Sequence, residues 1–374
     1  MADNMFFSRD TKVYVAPLNS SGVETGLFEI PVLDGFSFSQ ATNSTEVTLN
    51  EMSAGSNVSR RGRKMFNDSL APAEWSFSTY ARPFVSGASG GTGDADSAAK
   101  THAVEEVLWA MTVGDAAYAS YSFSNITNGT AAEGASISFA SSNVTTLGTA
   151  NIYFVLGKTG ESAVTYKMSK CCVNEVGVDF DIDGITTLNW SGMGVEITEQ
   201  DAALTTTNAV IEGTAGTSNF IRNRLTELVA TNGASSPVSQ VLTLTGGSIT
   251  ISNNMTYLTP ETLGVVNTPL GHVTGTRSIS GNFTCYLSNT QNSSMDLFEA
   301  IVEDKTTITH DYDLTFNIGG AAAPNLQFAM PSCHLEIPTH SIEDVISVEV
   351  NFHALGTDIA SKDELSVKYL GKTL

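Results

Sequence analysis

Apolar and polar residues alternate with a period of two along much of this chain. Such alternation is typical of β-strands that place one face in a core and the other in water. Only two segments, 103–111 and 295–302, instead repeat apolar residues at the i, i+3, i+4 spacing of a helix. The pattern predicts a mainly β protein with one short helix in each half. The clearest alternating segments are 35–39, 73–80, 176–183 and 347–352.

The same order of sequence features occurs twice. Phe36–Ser39 resembles Ile249–Ser252, which lies 213 residues later. A shrinking offset between later pairs indicates insertions in the first copy, and the constant order predicts a duplicated unit. We predict a first unit over 1–197, a linker over 198–216, and a second unit over 217–374 that ends in a short C-terminal tail. The further pairs are Arg9-Asp10 with Arg222-Asn223, Phe77–Tyr80 with Phe283–Tyr286, Val107-Leu108 with Leu297-Phe298, Cys172 with Cys333, and Trp190–Gly192 with Phe352–Ala354.

A loop of unusual length separates the second and third strands of each copy, over 42–71 and 254–277. Loops this long in compact domains are usually functional or disordered. The first loop holds four of the 18 basic residues of the chain within five positions. We predict that this cluster contacts another subunit; a solvated loop tip and a contact with DNA are the alternatives. The residues of this predicted contact are Arg60, Arg61, Arg63, Lys64 and Phe66.

The net charge and the small charged fraction of the chain argue against some classes of protein function. The chain has 39 acidic and 18 basic residues, which gives a formal net charge of −21. Charged residues make up only 15% of the chain, against roughly 25% in an average soluble protein. The sparse and mostly negative charge argues against a protein that grips nucleic acid, which needs a basic face. It leaves room for a protein that handles nucleic acid by repelling it.

Asp179–Gly184 has the spacing of carboxylates that begins an EF-hand calcium loop. An EF-hand requires Glu at the twelfth position, where this chain has Trp190. Apolar residues between the aspartates fit a strand with one acidic face, which is the interpretation we favour. We expect no catalytic, cofactor or metal site in the chain.

Four segments carry a resemblance to a known family. Together they resemble the major tail tube protein of long, non-contractile-tailed bacteriophages, in the branch with a duplicated tube domain. The resemblance covers almost the whole chain, and 44–80 is its most specific part. The segments are Ser44–Glu51, Arg60–Leu70, Ala73–Tyr80 and Ser252–Pro260.

The resemblance implies a fold and an assembly. Each unit is expected to be a small β-sandwich or half-barrel with a flanking short α-helix. Three chains would form a ring whose inner sheets join into a continuous β-barrel, and stacked rings would form the channel for genome delivery. The long loop typically reaches the adjacent ring. Some members carry a further immunoglobulin-like domain, which we expect to be absent because the chain ends at Leu374.

The resemblance also implies partners and a location. The expected partners are other copies of the chain, a tape measure protein in the lumen, tail initiator and terminator proteins, and phage DNA in transit without specific binding. The protein would belong to the virion after synthesis in the cytoplasm of the host bacterium. No membrane insertion is expected, because no apolar run approaches the roughly 18 residues of a membrane helix.

Carboxylates on the lumen wall would repel DNA phosphates and let the genome slide. The candidates for this role are Asp179, Asp181, Asp183, Glu343, Asp344 and Glu349. Two other functions stay open at this point. One is the tube protein of a contractile tail, and the other is a glycan-binding or hydrolase β-sandwich protein of the virion.

Overall fold

The computed structural model shows a mainly β protein, as the alternation predicts. Many strands bury alternate side chains, and the two short helices of the described part of the chain pack against the sheets. The structure describes residues 6–47, 53–54, 58–59, 63–85, 100–114, 118–119, 122–139, 146–157, 163–206, 219–233, 237–303, 312–342 and 344–371.

The strands of the first half include one of the three alternating segments predicted there completely, 73–80, and the other two in part. The segment 35–39 is a strand only over Ser37–Ser39, and 176–183 lies in a strand that ends at Asp181. The strands are β1 (Thr11–Pro17), β2 (Phe28–Ile30), β3 (Ser37–Ser39), β4 (Thr42–Glu46), β5 (Ser53–Ala54), β6 (Val58–Ser59), β7 (Met65–Leu70), β8 (Ala73–Tyr80), β9 (Pro83–Val85), β10 (Thr101–Ala103), β11 (Tyr118–Ala119), β12 (Ser122–Phe123), β13 (Ile126–Asn128), β14 (Ala135–Ser138), β15 (Ala150–Leu156), β16 (Val164–Asp181), β17 (Thr187–Gly194) and β18 (Glu196–Gln200).

The second half is built from fewer and longer strands. They are β19 (Glu227–Asn232), β20 (Ser239–Ser252), β21 (Thr256–Leu258), β22 (Gly271–Val273), β23 (Ser278–Tyr286), β24 (Tyr312–Ile318), β25 (Asn325–Leu335), β26 (Thr339–Ser341), β27 (Ser347–Ala354) and β28 (Ser366–Leu370). The pair β21–β22 lies in the long loop of this half, and β4–β7 lies in that of the first half. Neither loop shows a strand pattern in the sequence, but in the structure the backbone groups of each loop pair in a hairpin, so neither loop is structureless.

Both predicted helices are present with shifted ends. The first, α1 (Glu106–Val113), begins three residues later than predicted because Ala103 belongs to β10. It ends at Gly114, whose φ of 125° favours glycine. The second, α2 (Ser294–Glu303), keeps the predicted span and adds one residue at each end. Every residue of α1 is buried, whereas α2 buries one stripe.

Strand pairing repeats between the halves. In the first half β1 pairs with β15, β15 with β16, β16 with β17 and β17 with β8. The second half repeats this order of pairing: β19 pairs with β24, β24 with β25, β25 with β27 and β27 with β23. Arg9-Asp10 and Arg222-Asn223 each belong to a strand-like stretch of the sequence, and the strand predicted there is wrong. The structure instead has a 3-10 turn before the first strand of each half, over Ser8–Asp10 and Asn223–Leu225.

The pairing register of the strands tests the residue matches that the repeat predicts between the two halves. Phe38 lies opposite Trp75 and Ile251 lies opposite Ile279, which agrees with the offset of 213 residues between β3 and the end of β20. These pairs also align Trp75 with Ile279, so the predicted match of Phe77 with Phe283 is wrong by two residues. Two residues make one full period of a strand, and the error therefore leaves every side chain on the correct face.

A shared β-bulge corrects the cysteine match. Between β15 and β16 the register shifts between the pairs Ala150–Cys171 and Ile152–Met168. Between β24 and β25 it shifts between Tyr312–Cys333 and Leu314–Met330. The pairing with β15 and β24 makes Cys171 the equivalent of Cys333, whereas the pairing with β17 and β27 makes it Val173. The predicted Cys172 agrees with neither and is wrong by one residue. A bulge adds one residue to one strand, which a comparison of sequence offsets does not reveal.

The two halves share one sheet and one core. The second half of β16 pairs with the second half of β20 from Glu175–Ser252 to Asp181–Gly246. We call this pairing the internal seam. Buried apolar residues of both halves form one continuous cluster, in which the Trp109 ring on α1 lies 5.1 Å from the Trp190 ring and 6.3 Å from the Phe328 ring.

The last described strand, β28, also joins the halves. It pairs with β14 on one side and with β25 on the other, so Tyr369 lies opposite both Ala135 and Leu326. The buried Tyr369 hydroxyl accepts a hydrogen bond from Trp109 Nε1 at 2.8 Å and donates one to Glu105. Residues expected to form a C-terminal tail thus include a structural strand. The predicted unit boundary at residue 197 lies inside β18.

Candidate functional site: a polar sheet face and two hairpins

Strands on both sides of the internal seam form one continuous antiparallel sheet. In the described part of the chain its order is β3–β8–β17–β16–β20–β23–β27, followed by the end of β25 and β26. Alternation gives this sheet an inner face of buried side chains that includes Trp190, Val178 and Phe352. The opposite face is turned to solvent and is polar. We call it the polar face.

Short polar side chains cross-link the polar face. Ser78 Oγ donates to Asn189 Oδ1 at 2.7 Å, and Asn189 Nδ2 donates to Asp179 Oδ2 at 3.1 Å. Beyond the seam, Asn282 Nδ2 donates to Glu349 Oε1 at 2.8 Å. Each amide has both a donor and an acceptor, so it bridges the strands on either side. These bonds hold the side chains flat along the sheet.

Five of the six predicted acidic residues are described by the structure, and they fall into two groups. Asp179, Asp181 and Glu349 lie on the polar face and are exposed. Asp183 and Asp344 lie in turns at one end of the sheet instead, because β16 ends at Asp181 and β27 begins at Ser347. Asp183 Oδ1 accepts from Arg224 Nη1 at 3.3 Å. Glu343 lies outside the described residues.

The polar face carries further carboxylates that the sequence analysis did not select. Glu175 lies on it at the seam, and Glu74 lies on it in β8. Glu336, which follows β25, accepts a hydrogen bond from Asn351 Nδ2 at 2.9 Å, and this bond lowers the pKa of the carboxyl. Glu74 has an outward position in the predicted strand 73–80, and Glu175 directly precedes the predicted strand 176–183 at the next outward position. This alternation was the signal that could have found both residues.

Lysine and arginine are absent from the polar face among the described residues. Outward positions on these strands hold Ser, Thr, Asn, Gly, Asp and Glu, together with a few Tyr, Met and His residues. This distribution does not follow from composition alone, since the chain has 18 basic residues. A surface of this kind repels phosphates and offers them no cation to bind.

Both long-loop hairpins lie at one end of this sheet, which we call the hairpin end. The loops touch each other, because Leu70 N donates to Asn267 O at 2.8 Å and Asn267 N donates to Asp68 O at 3.2 Å. The β21–β22 hairpin exposes apolar side chains that the sequence analysis missed. They are Leu258, Leu263, Val265, Val266 and Leu270, and Leu263 is fully exposed.

The predicted basic cluster is described only in part. Arg63 forms a bidentate ion pair with Glu46, with both distances 2.6 Å, so a carboxylate neutralises its charge. Lys64 Nζ lies 5.1 Å from the centroid of the Phe66 ring. Phe66 is about half exposed, as an intermolecular contact residue would be in a free subunit. Arg60 and Arg61 lie outside the described residues.

The opposite end of the sheet is also apolar at its surface. Exposed side chains there are Ile182, Ile185, Ile342, Val345 and Ile346. We call this the turn end, and it lies beside Asp183 and Asp344. Two different apolar surfaces at opposite ends of one subunit can meet only through a head-to-tail contact, which continues from one subunit to the next.

Comparison with known proteins decides the family. A family model described as "Phage tail tube protein" matches residues 14–354. The chain belongs to the phage tail tube protein family. It is 29% identical to "Tail tube protein pb6" of Escherichia phage T5, in an alignment that covers 98% of this chain and 77% of that protein. These findings confirm the resemblance seen in the sequence, and this tail tube family member is a structural component of the virion.

One buried free cysteine of this tail tube family member lies beside a histidine. Cys172 Sγ lies 3.2 Å from His272 Nδ1, a contact that resembles a nucleophile and its base. Burial raises the pKa of Cys172 to about 12, so the sulfur stays a thiol at neutral pH. The described residues hold no group of three metal-ligating side chains and no helix with the length and hydropathy to cross a membrane.

Proposed function

We propose that three copies of this chain close into a ring and that the rings stack into the channel through which the phage genome leaves. The internal seam carries this proposal. It joins two equivalent sets of four strands within one chain, and the same pairing between chains would extend the sheet. Six sets would close it into a barrel, which removes the exposed edges of the sheet.

The polar face lines the lumen in this proposal. Its inner counterpart is buried against the helices and the outer strands, so only the polar face is free to border a water-filled channel. Asp179, Asp181 and Glu349 then repel DNA phosphates along the wall, while Asp183 and Asp344 act at the ring boundary. Salt screens the electrostatic interaction between exposed charges over a Debye length of about 8 Å at physiological ionic strength. Carboxylates on the wall itself therefore matter more than the net charge of the chain.

Stacking uses the hairpin end of one ring and the turn end of the next. Both surfaces are apolar. Lys64 lies beside the first hairpin, and Asp344 lies beside the turns, where Asp183 is already paired with Arg224. The proposed contact includes the whole predicted cluster, Arg60, Arg61, Arg63, Lys64 and Phe66. The lumen would also hold a tape measure protein during assembly, and initiator and terminator proteins would cap the two ends. The chain has no enzymatic step in this proposal.

Electron microscopy of the purified chain tests the proposal. We expect hollow tubes in which each ring has the mass of three chains and a density with nearly sixfold symmetry. A variant in which Arg60, Arg61, Arg63 and Lys64 are all replaced by Glu should stay folded by circular dichroism but form few or short tubes. A matched variant with Arg9, Lys158, Lys305 and Lys372, which lie outside both long loops, replaced by Glu controls for the change in net charge. Rings that contain four or six chains would contradict the proposed trimer. Tubes of normal number and length from the first variant would contradict the proposed stacking contact.

A further inference from the structure

The second long loop is fixed to the first half of the chain through its first strand, β21. Met255 N, close to the start of this loop, donates to Asn174 Oδ1 at 3.0 Å. The Tyr257 hydroxyl lies 2.7 Å from Lys170 O and 3.1 Å from Met193 O. The acceptors are an amide and two backbone carbonyls, which do not change their charge between neutral and mildly acidic pH. We therefore expect β21 to stay anchored over that range.

The second strand of the hairpin, β22, is held by a histidine. His272 lies opposite Tyr257, and its ring is half-buried. Leu147 N lies 3.2 Å from His272 Nε2, and Cys172 Sγ lies 3.2 Å from His272 Nδ1. A backbone N–H can only donate a hydrogen bond, so Nε2 accepts from Leu147 and carries no proton. The neutral ring then has its proton on Nδ1 and donates it to the Cys172 sulfur.

Protonation of His272 is incompatible with this arrangement. The second proton must bind Nε2, and the new N–H would face the N–H of Leu147, so that two donors meet and no acceptor lies between them. Leu147 is only 4% exposed. Its amide would lose its acceptor in a place that water hardly reaches, which costs free energy.

The groups packed against the ring do not favour its charged form. They are Cys172 of β16, Tyr257 of β21 and the segment 146–149 around Leu147, which has no titratable side chain. Burial raises the pKa of Cys172 to about 12 and also raises the pKa of Tyr257, so both groups stay neutral. Burial lowers the pKa of His272 below its ordinary value of 6.5, and no carboxylate of the described residues offsets this shift.

We propose that the contacts of His272 with Leu147 and Cys172 form a pH-sensitive latch, which holds β22 on the first half only while the imidazole is neutral. The docked ring binds a proton less tightly than a released ring does. Docking is therefore strongest above the ordinary pKa of about 6.5 and weakens as the pH falls below it. Because β21 keeps its own anchors, the hairpin loosens at one strand and stays attached to the subunit. The latch belongs to the single chain and does not depend on the proposed ring.

Hydrogen exchange at the Leu147 amide tests the latch, because this amide donates the hydrogen bond to His272. We expect its protection, relative to an unstructured chain, to fall at least about tenfold between about pH 7.5 and about pH 5. His272→Gln offers a neutral acceptor at every pH, so it should keep Leu147 protected and lose most of the pH dependence. The control His340→Gln replaces an exposed histidine of β26 and should behave like the native chain. Equal protection of the native Leu147 amide at both pH values, or native pH dependence in His272→Gln, would overturn the inference.

A second measurement needs no substitution. Nitrogen NMR of subunits with labelled histidine should show that the neutral His272 ring carries its proton on Nδ1 and accepts at Nε2, the reverse of the preference of free histidine. A proton on Nε2 at the higher pH would show that Leu147 does not donate to this ring, and the latch would then not exist.

One consequence for tubes rests on the proposed function. Leu258, Leu263 and Leu270 lie on the same hairpin and are exposed for the proposed stacking contact. Native tubes held at the lower pH should therefore shorten more than tubes of His272→Gln. If Leu147 loses protection in acid but the two kinds of tube keep equal lengths, the latch is supported and the proposed stacking through this hairpin fails.

Discussion

Ionisation of one buried carboxyl should make the stability of this protein fall as the pH rises. Glu105 lies just before α1 and is 0% exposed. Its Oε1 accepts from the Tyr369 hydroxyl, whereas its Oε2 has no hydrogen-bond partner. Desolvation, opposed by the hydrogen bond from Tyr369, raises the pKa of this carboxyl from 4.5 to about 7. We therefore predict that Glu105→Gln stabilises the folded chain at alkaline pH relative to the native residue.

The sign and size follow from proton linkage. The folded chain holds the Glu105 proton more tightly than the unfolded chain does, so stability is highest below the unfolded pKa and declines until the pH passes the folded pKa. Each pKa unit corresponds to about 1.4 kcal/mol, so full ionisation costs about 3 kcal/mol. Between about pH 5.5 and about pH 8, roughly 2 kcal/mol of this cost develops. Glu105→Gln does not ionise and escapes this loss.

Urea unfolding of the unassembled subunit at these two pH values measures the effect. The free energy of unfolding of Glu105→Gln minus that of the native chain should increase by about 2 kcal/mol from the lower to the higher pH. Glu299→Gln, at an exposed position on α2, is the control and should show no such change. A difference for Glu105→Gln that is constant within about 0.5 kcal/mol would refute the reasoning. It would mean that the hydrogen bond from Tyr369 keeps the carboxylate ionised in the folded chain.

Three further predictions concern the lumen, the stacking surface and the sheet. Asp179→Lys puts a cation on the proposed lumen wall, so phages that carry it should eject DNA more slowly as salt is lowered; a rate independent of salt would argue against a lumenal position. Leu263→Asp alters a fully exposed side chain and should change subunit stability by less than about 0.5 kcal/mol, yet electron microscopy should show shorter tubes. Normal tube length would exclude this hairpin from stacking. Gly281→Ala places a Cβ 2.0 Å from Ser248 O, so the urea midpoint should fall by the equivalent of at least about 2 kcal/mol; an unchanged midpoint would show that the strands separate easily.

Family membership and most strands could be predicted from the sequence because their signals are local. Alternation identified β8 at both ends, and helical spacing identified α2 to within one residue at each end. The hairpins could not be predicted in the same way. Thr42–Glu46 and Met65–Leu70 lack regular alternation because both sides of that hairpin face solvent, and a strand with two wet faces has no period-two signal.

Individual carboxylates of the polar face could be predicted from the sequence only where they lie inside a strand. Asp179 and Asp181 follow the alternation of β16, whereas Asp183 lies beyond its end and points into a turn. The apolar residues at the hairpin end, such as Leu263 and Leu270, were missed. A loop with scattered apolar residues between Pro260 and Pro269 carries no periodicity, although unusual hydrophobicity between turn residues was a usable signal.

By itself the sequence determined the family, the duplication, the mainly β fold and the alternation that separates an apolar face from a polar one. These properties depend on the order of residue types along the chain, which period and repeat reveal directly. Only the tertiary structure decided the pairing of β16 with β20, the bulge that aligns Cys171 with Cys333, and the role of β28 in joining the halves. Each of these depends on contacts between residues far apart in the chain, where register is set by packing and hydrogen bonding rather than by any local pattern.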